Sequence, residues 1–394
     1  MDKIIVLDFG SQYSHLICRR IRDFSVYAEL VPYDISLKEL KKLNPKGIIF
    51  SGGPSSVYDS RAPTPTKKIF QLQIPILGIC YGHQIIVNNF GGKVKRVNKE
   101  YGSAVLSIDD SSDIFSGVGD SIRAWMSHGD EAKLVPDNFE IIGHTENARA
   151  AAISNKQKAV YGIQFHPEVV HTENGNEILK NFVLKVCHAN QDWTLERFVE
   201  NSIENISKLE GNILCGVSGG IDSTVTALLI HKAVKKRLKC IFVDNGLLRL
   251  NETKEIQDMF TKNFKVDFTK IDAQKQFLSK LKGVVDPEEK RKVIGEEFVK
   301  VFTKFAKSKG QFTWLAQGTL YPDVIESGVS KGPASVIKTH HNVGGLPDWL
   351  DLKVLEPLRD LYKDEVRKVA KILGVPQSLL VRHPFPGPGL AVRI

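Results

Sequence analysis

Hydrophobic and polar positions follow two rhythms over the first 90 residues of the chain. Short apolar runs at residues 4–9, 27–31, 47–50 and 76–79 each close on Gly, Pro or Asp, as buried strands ended by turns do. Between them, residues 14–21 and 37–43 carry apolar side chains at helical spacing. Strand alternating with helix predicts a parallel sheet flanked by helices. After Gly91-Gly92 the rhythm becomes strand-rich, with runs at 104–108, 122–126, 141–145 and 160–165, and residues 174–186 read as a closing helix. Periodicity stops over residues 187–192, which predicts a linker, and Thr194 then stands as an N-cap for a new helix. A second series follows: strand 213–217, helix 223–234, strand 240–243, helix 252–260, strand 264–268, a long charged helix within 286–309 and strand 312–316. The Gly- and Pro-punctuated stretch 328–347 is long for a loop in a compact domain and predicts a mobile active-site lid. The fold class expected is α/β, with two open, mostly parallel-sheet domains and no internal repeat.

Length supports the division, because 394 residues exceed what one hydrophobic core usually organises. A hydrophobic fraction of 42% with 25% charged residues is ordinary for a globular protein. No apolar run reaches the length of a membrane span, and the opening run is too short for the core of a signal peptide. The five cysteines form no CxxC pair and no zinc-like spacing, which fits a reducing cytoplasm and a catalytic rather than structural role for any special cysteine. The formal charge of +9 invites a nucleic-acid reading. The lysines are nevertheless interspersed with acids, and phosphate-bearing substrates would favour a positive field equally well. Neither a nucleic-acid nor a membrane partner is expected.

Chemistry concentrates at two places. In Gly78-Ile79-Cys80-Tyr81-Gly82 a cysteine follows an apolar strand, with glycines two before and two after it. This is the spacing of a nucleophile elbow, where a strained strand-to-helix turn exposes the nucleophile and the helix N-terminus favours the thiolate. A free cysteine ending a strand is about as often a small buried residue. The partner decides: the strand at 160–165 ends in His166-Pro167-Glu168, an imidazole with a carboxylate two residues on, which together with the elbow makes a Cys-His-Glu triad.

The second place is Gly216-Val217-Ser218-Gly219-Gly220-Ile221-Asp222-Ser223-Thr224, between an apolar strand and an apolar helix. Consecutive glycines let backbone N–H groups converge on phosphate oxygens, and the helix N-terminus adds its positive dipole end. Ser218, Ser223 and Thr224 supply hydroxyls, and Asp222 can hold the Mg²⁺ that bridges phosphates. A capped turn before a helix is the plain alternative, but the run of fixed residues in this strand–helix setting favours phosphate. No lysine follows the glycines, so the pattern is not a Walker loop.

These motifs resemble known families. Gly78–Gly82 with Gln164-Phe165-His166-Pro167-Glu168 is similar to class I glutamine amidotransferases, and Ser218–Ser223 to ATP-pyrophosphatases. The first resemblance implies that Cys80 attacks a glutamine amide, His166 moves the proton and Glu168 holds His166. It also implies an oxyanion hole from the amides of Gly53 and Tyr81, with Gln84 binding glutamine. His128 and Asp130, in Trp125–Asp130, are substrate-side candidates, or equally a polar turn after a strand. Val243, Asp244 and Asn245 are adenine-side candidates by fold analogy. Both modules in this order, with the stretches 316–327, 338–347 and 382–390, resemble the GMP synthase family from Lys3 to Ile394. That resemblance implies glutamine, ATP and XMP as substrates, adenylation of XMP and displacement of AMP by ammonia. Lys338, His340 and His341 become lid candidates for phosphate or purine, and Arg291 a candidate for the XMP phosphate, or the solvated face of a helix. Domains are expected at 1–191 and 192–384. Residues 385–394 are expected to begin the dimerisation domain with which the family continues, so that this chain would be monomeric with impaired XMP binding.

Three rivals remain at this stage. An NAD synthetase-like ligase lacks an account of the 338–347 and Gly-Pro-Gly stretches. A tRNA-modifying thiolase would want a sulfur-carrying cysteine near ATP, whereas Cys215 and Cys240 lie on expected core strands. A non-enzymatic nucleotide-binding module would bind without turnover.

Overall fold

The computed structural model describes residues 1–309, 312–328, 352–380 and 389–393. Lys338, His340 and His341, the 329–347 part of the expected lid and the Gly-Pro-Gly run up to Pro388 lie outside the described residues. The chain divides into two compact units, Met1–Thr194 and Leu195–Ile394.

In the first unit, strands β1 (Lys3–Asp8), β2 (Tyr27–Pro32), β3 (Gly47–Phe50) and β4 (Ile76–Ile79) alternate with helices α1 (Ser14–Asp23), α2 (Leu37–Leu43) and α3 (Tyr81–Asn89). The remaining strands are β5 (Lys93–Ile108), β6 (Ser121–Leu134), β7 (Glu140–His144), β8 (Ala152–Asn155) and β9 (Val160–Ile163), and α4 (Gly175–Asn181) closes the unit. The sheet order is β2-β1-β3-β4-β9-β8-β7-β5-β6. Its first five strands pair in parallel, and β9 returns beside β4 with Ile79 opposite Ile163. The parallel strands are apolar on both faces because helices cover them: Ile4 to Leu7 and Ile48 to Phe50 are fully buried. From β9 outward the pairing is antiparallel, and one face can meet water. The local start of α2 is written in sequence, since Ser36 and Glu39 form a reciprocal capping box.

The structure moves several expected boundaries. β9 stops at Ile163, so Gln164–His166 form a connection rather than the end of the strand. Its backbone turns away from β8, and His166 N–H donates to Trp125 O on β6 instead. β6 runs on to Leu134, so His128 and Asp130 lie inside a strand and the polar-turn alternative is wrong. Long cross-strand pairing with β5 overrides their low strand preference. The stretch read as a linker is docked on the first unit. Asn190 donates through both its amides to Asp2 at 2.9 Å, Gln191 donates to Phe24 O at 2.8 Å, and Trp193 packs on Tyr27 at 4.8 Å.

The second unit holds β10 (Asn212–Gly216), β11 (Leu238–Asp244), β12 (Phe268–Asp272), β13 (Phe312–Ala316) and β14 (Lys353–Leu355), ordered β12-β11-β10-β13-β14 and paired in parallel. Helices α5 (Leu195–Ser207), α6 (Ile221–Val234), α7 (Glu252–Asp258), α8 (Gln274–Leu281), α9 (Pro287–Lys309), α10 (Tyr321–Gly328), α11 (Lys363–Ile372) and α12 (Gln377–Leu380) connect and flank them. The strand expected at 264–268 is displaced: a π-helical turn continues to Asn263, and β12 starts only at Phe268. Phe264 stays half-buried as an aromatic neighbour of Phe260, so its hydrophobicity serves the helix end rather than the sheet. The direction in which successive strands are added to the sheet reverses at β10, with β11 on one side and β13 on the other. Such a switch point leaves a crevice at the carboxyl ends of the strands, where α/β sheets bind ligands.

Candidate active sites

The first site is built on the turn between β4 and α3. Cys80 has φ 51° and ψ −103°, a strained conformation for a residue with a side chain, and its N–H donates to Ile163 O at 2.8 Å. The flanking glycines make room for the turn. A Cβ on Gly78 would stand 2.4 Å from Gly82 O, and one on Gly82 would stand 2.5 Å from Phe50 O. Backbone cannot yield to such contacts, so the spacing read from sequence is a packing requirement.

Around this elbow the connection after β9 delivers His166 and Glu168. His166 Nδ1 lies 2.8 Å from Glu168 Oε1, and all of Cys80, His166 and Glu168 are buried, with 5%, 4% and 0% exposure. Burial pulls the His166 pKa down. The charge of Glu168 and the hydrogen bonds with Cys80 and Glu168 outweigh it, and the imidazole titrates well above its ordinary value. Thr172 fixes the backbone here, donating to His166 O at 2.6 Å and accepting from Trp125 N–H at 3.0 Å. Arg20 from α1 donates to Glu168 O at 3.2 Å, and the Tyr13 ring meets His166 edge-on at 5.5 Å. None of Thr172, Arg20 and Tyr13 carried a motif. Only their approach in space marks them.

The other residues named from sequence fall around the same turn. Tyr81 is the first residue of α3, where helix amides have no intrahelical acceptor. A Cβ on Gly52 would lie 3.0 Å from His166 Cε1 and one on Gly53 would meet Phe9 O at 2.6 Å, so both positions exclude a side chain. Gln84 is buried, and its amide donates to Asp130 O at 2.9 Å. Asp130 accepts a hydrogen bond from Ser56 Oγ and has Arg96 Nε at 4.0 Å, and the Ser56 bond ties the loop after β3 to β6. His128 Nε2 lies 3.1 Å from Glu100 Oε2 across the β5–β6 ladder. Burial lowers the His128 pKa, with Glu100 opposing. His83, fully buried on α3 against Gly162, is lowered to about 3 by burial and by neighbouring His128.

The second site lies at the switch point of the second sheet. The loop between β10 and α6 is organised by its own hydroxyls. Ser218 N–H donates to Ser223 Oγ at 3.2 Å, Gly220 N–H donates to Ser218 Oγ at 3.3 Å, and Thr224 Oγ1 donates to Gly220 O at 2.9 Å. Gly219 has φ +77°, and a Cβ there would press on Ile256. Ile221 is the first residue of α6, which places the loop at a helix N-terminus. Asp222 pairs through Oδ2 with Lys363 of α11, while its Oδ1 is buried without a hydrogen-bond partner among the described residues. Gly318 packs against the Asp222–Ser223 backbone, where a Cβ would come within 3.2 Å. Lys363 was not named from sequence and Gly318 only within the 316–327 stretch, since each lies more than one element away from the motif.

Val243 ends buried on β11 beside Asp244, whose carboxylate accepts from Thr253 Oγ1 at 3.0 Å and Gln274 Nε2 at 3.1 Å. Arg291 lies on α9 paired with Glu288 one turn earlier. Cys215 and Cys240 are buried register partners in the core, as expected from their strands.

The sequence pattern of the family described as "Glutamine amidotransferase class-I" matches residues 5–186, and that described as "NAD synthase" matches residues 193–300. Fold and matches define an amidotransferase module joined to an ATP-pyrophosphatase module. Over 397 aligned residues the chain is 53% identical to the "GMP synthase [glutamine-hydrolyzing]" of Brachyspira hyodysenteriae, covering 100% of this chain and 77% of that protein. It is 52% identical to the protein of that name from Acetivibrio thermocellus and 50% identical to that from Clostridium kluyveri, each with 100% and 77% coverage. The chain belongs to the glutamine-hydrolysing GMP synthase family, which are ligases. The NAD synthase match reflects the shared ATP-splitting module, and full-length similarity decides against the NAD synthetase-like reading. Among the described residues, no helix is long and apolar enough to cross a membrane.

Proposed function

We propose that the chain hydrolyses glutamine at Cys80 and uses the ammonia to convert XMP to GMP, splitting ATP to AMP and pyrophosphate. The observation that carries the first half is the buried Cys80–His166–Glu168 constellation on a strained elbow. Cys80 attacks the side-chain carbonyl carbon of glutamine, and the amides of Gly53 and Tyr81 receive the oxyanion. His166, held by Glu168, gives its proton to the departing nitrogen, so ammonia leaves as a thioester forms. Water then hydrolyses the thioester to glutamate and restores Cys80. Gln84, His128 and Asp130 frame the glutamine subsite.

In the second unit the Ser218–Thr224 loop receives the β and γ phosphates of ATP, and Val243 lies toward the adenine. The unpartnered Oδ1 of Asp222 fits a Mg²⁺ ligand. Bound there, Mg²⁺ would supply charge neutralisation for the pyrophosphate leaving group. XMP, adenylated at its 2-oxygen, is attacked by ammonia with loss of AMP. Lys338, His340, His341 and Arg291 are proposed to contact XMP or phosphate.

The test is to incubate the chain with glutamine, ATP, Mg²⁺ and XMP and to quantify glutamate, AMP and GMP separately. Formation of all three is expected. Cys80→Ala should abolish glutamine-driven GMP formation while ammonium-driven formation persists. Loss of both in a folded variant would refute the division of labour.

A further inference from the structure

The connection that carries His166 and Glu168 begins with Gln164, a buried amide with 1% exposure. Its backbone is fixed by donation from N–H to Ala151 O at 2.8 Å, and two residues later His166 N–H is fixed to Trp125 O at 3.1 Å. Gln164 and His166 therefore approach Cys80 from one short segment, with Phe165 between them fully buried in the core. Gln164 Nε2 lies 3.8 Å from Cys80 Sγ, within the reach of an N–H···S hydrogen bond, while Gln164 Oε1 is buried without a hydrogen-bond partner among the described residues. An amide that turns its N–H to sulfur while its oxygen stays buried calls for an explanation at a reacting centre. The orientation follows from charge: a thiolate accepts from an amide N–H and would repel an amide carbonyl.

We propose that Gln164 is a further catalytic residue of the glutamine site, donating its amide N–H to the Cys80 thiolate. The inference rests on the reading of Cys80 as the nucleophile. In the free enzyme the N–H stabilises the thiolate beside His166. When the sulfur–carbon bond forms and the carbon–nitrogen bond breaks, His166 gives its proton to the nitrogen. Water completes hydrolysis of the thioester, and Gln164 is unchanged throughout.

Two variants of the full chain separate this role from packing. Gln164→Met keeps the side-chain length and removes both polar atoms, and Gln164→Glu keeps the shape but replaces the donor with an acceptor. Glutamate release in the presence of ATP, Mg²⁺ and XMP is expected to fall about tenfold to a hundredfold in Gln164→Met, the loss of one hydrogen bond to a charged group. The effect should lie in kcat, with KM for glutamine changed less than threefold. The decisive readout is alkylation of Cys80 by iodoacetamide against pH, followed by peptide mapping. The rise in rate should move to higher pH in Gln164→Met and further in Gln164→Glu, while thermal midpoints stay near wild type. Unchanged alkylation profiles in both folded variants would overturn the proposal, as would a loss confined to stability. If iodoacetamide labels another residue, or Cys80→Ser keeps full glutaminase activity, the triad reading itself fails and Gln164 falls with it.

Discussion

Cys80 occupies a left-handed conformation that an L-residue adopts at a cost of order 1 kcal/mol, and the surrounding backbone leaves it no alternative. Replacing it by Ala should therefore leave folding intact and lower glutamate release by at least about a thousandfold, since a triad without its nucleophile keeps only binding and the oxyanion hole. The His166 imidazole titrates high because Glu168 and Cys80 outweigh its burial. Its folded-state pKa lies above the unfolded one, so its contribution to stability is full below about pH 6.5 and disappears as pH rises through the folded value. Glu168→Gln removes the main raising charge, and the alkaline limb of glutaminase activity should move to lower pH. A profile unchanged in position would show that Glu168 does not set the imidazole. His83 has the opposite sign. Lowered to about 3 by burial, it makes the folded state lose stability as pH falls below about 6.5, by up to about 1.4 kcal/mol per unit. His83→Gln should therefore flatten the fall in urea midpoint between pH 7 and 5 relative to wild type. An equal fall in both proteins would reject this origin of acid sensitivity.

At the scale of elements, both sites sit where a parallel strand hands over to a helix, but glycine serves a different purpose in each. A Cβ on Gly78 or Gly82 would stand 2.4 or 2.5 Å from backbone oxygen, so Gly78→Ala must displace β4 from α3. A loss of about 3 kcal/mol is expected in chemical unfolding, together with loss of glutaminase activity. Gly219 takes φ +77°, and a Cβ there would meet only the flexible Ile256 side chain. Gly219→Ala should fold, yet raise KM for ATP about tenfold or more by re-aiming the loop amides, with glutamine hydrolysis at Cys80 preserved. An unchanged KM would argue against phosphate in this loop. The two expected outcomes differ because side chains can yield where backbone cannot.

At the scale of the whole molecule, each unit encloses its own core. That of the first includes Ile5, Leu7, Ile48, Phe50 and Ile86, and that of the second includes Ile213, Cys215, Phe242 and Phe260. Calorimetry should resolve two transitions, of which Mg²⁺ and ATP raise the one belonging to the second unit. Ligand at a hundred times its dissociation constant adds about 2.7 kcal/mol. A single transition, or a shift of the other one, would contradict this assignment of ATP.

The motifs at Cys80, His166–Glu168 and Ser218–Thr224 were legible because each is local: glycine spacing, a strand before and a helix after are properties of ten neighbouring residues. Strand and helix order was legible for the same reason, since apolar periodicity registers burial wherever an element is covered on a regular face. Residues 264–267 misled because aromatic packing at a helix end mimics a strand. Tertiary structure alone decided which distant residues join each site. Gln164 comes to Cys80, Arg20 to Glu168, Ser56 to Asp130 and Lys363 to Asp222. The last two pairs cross 74 and 141 residues of chain, and the sheet order that brings them together leaves no periodic trace in the sequence between them. Local sequence determines which groups can react. The order in which strands pair determines which of them meet, because that order is fixed by the summed burial of whole faces and not by any single segment.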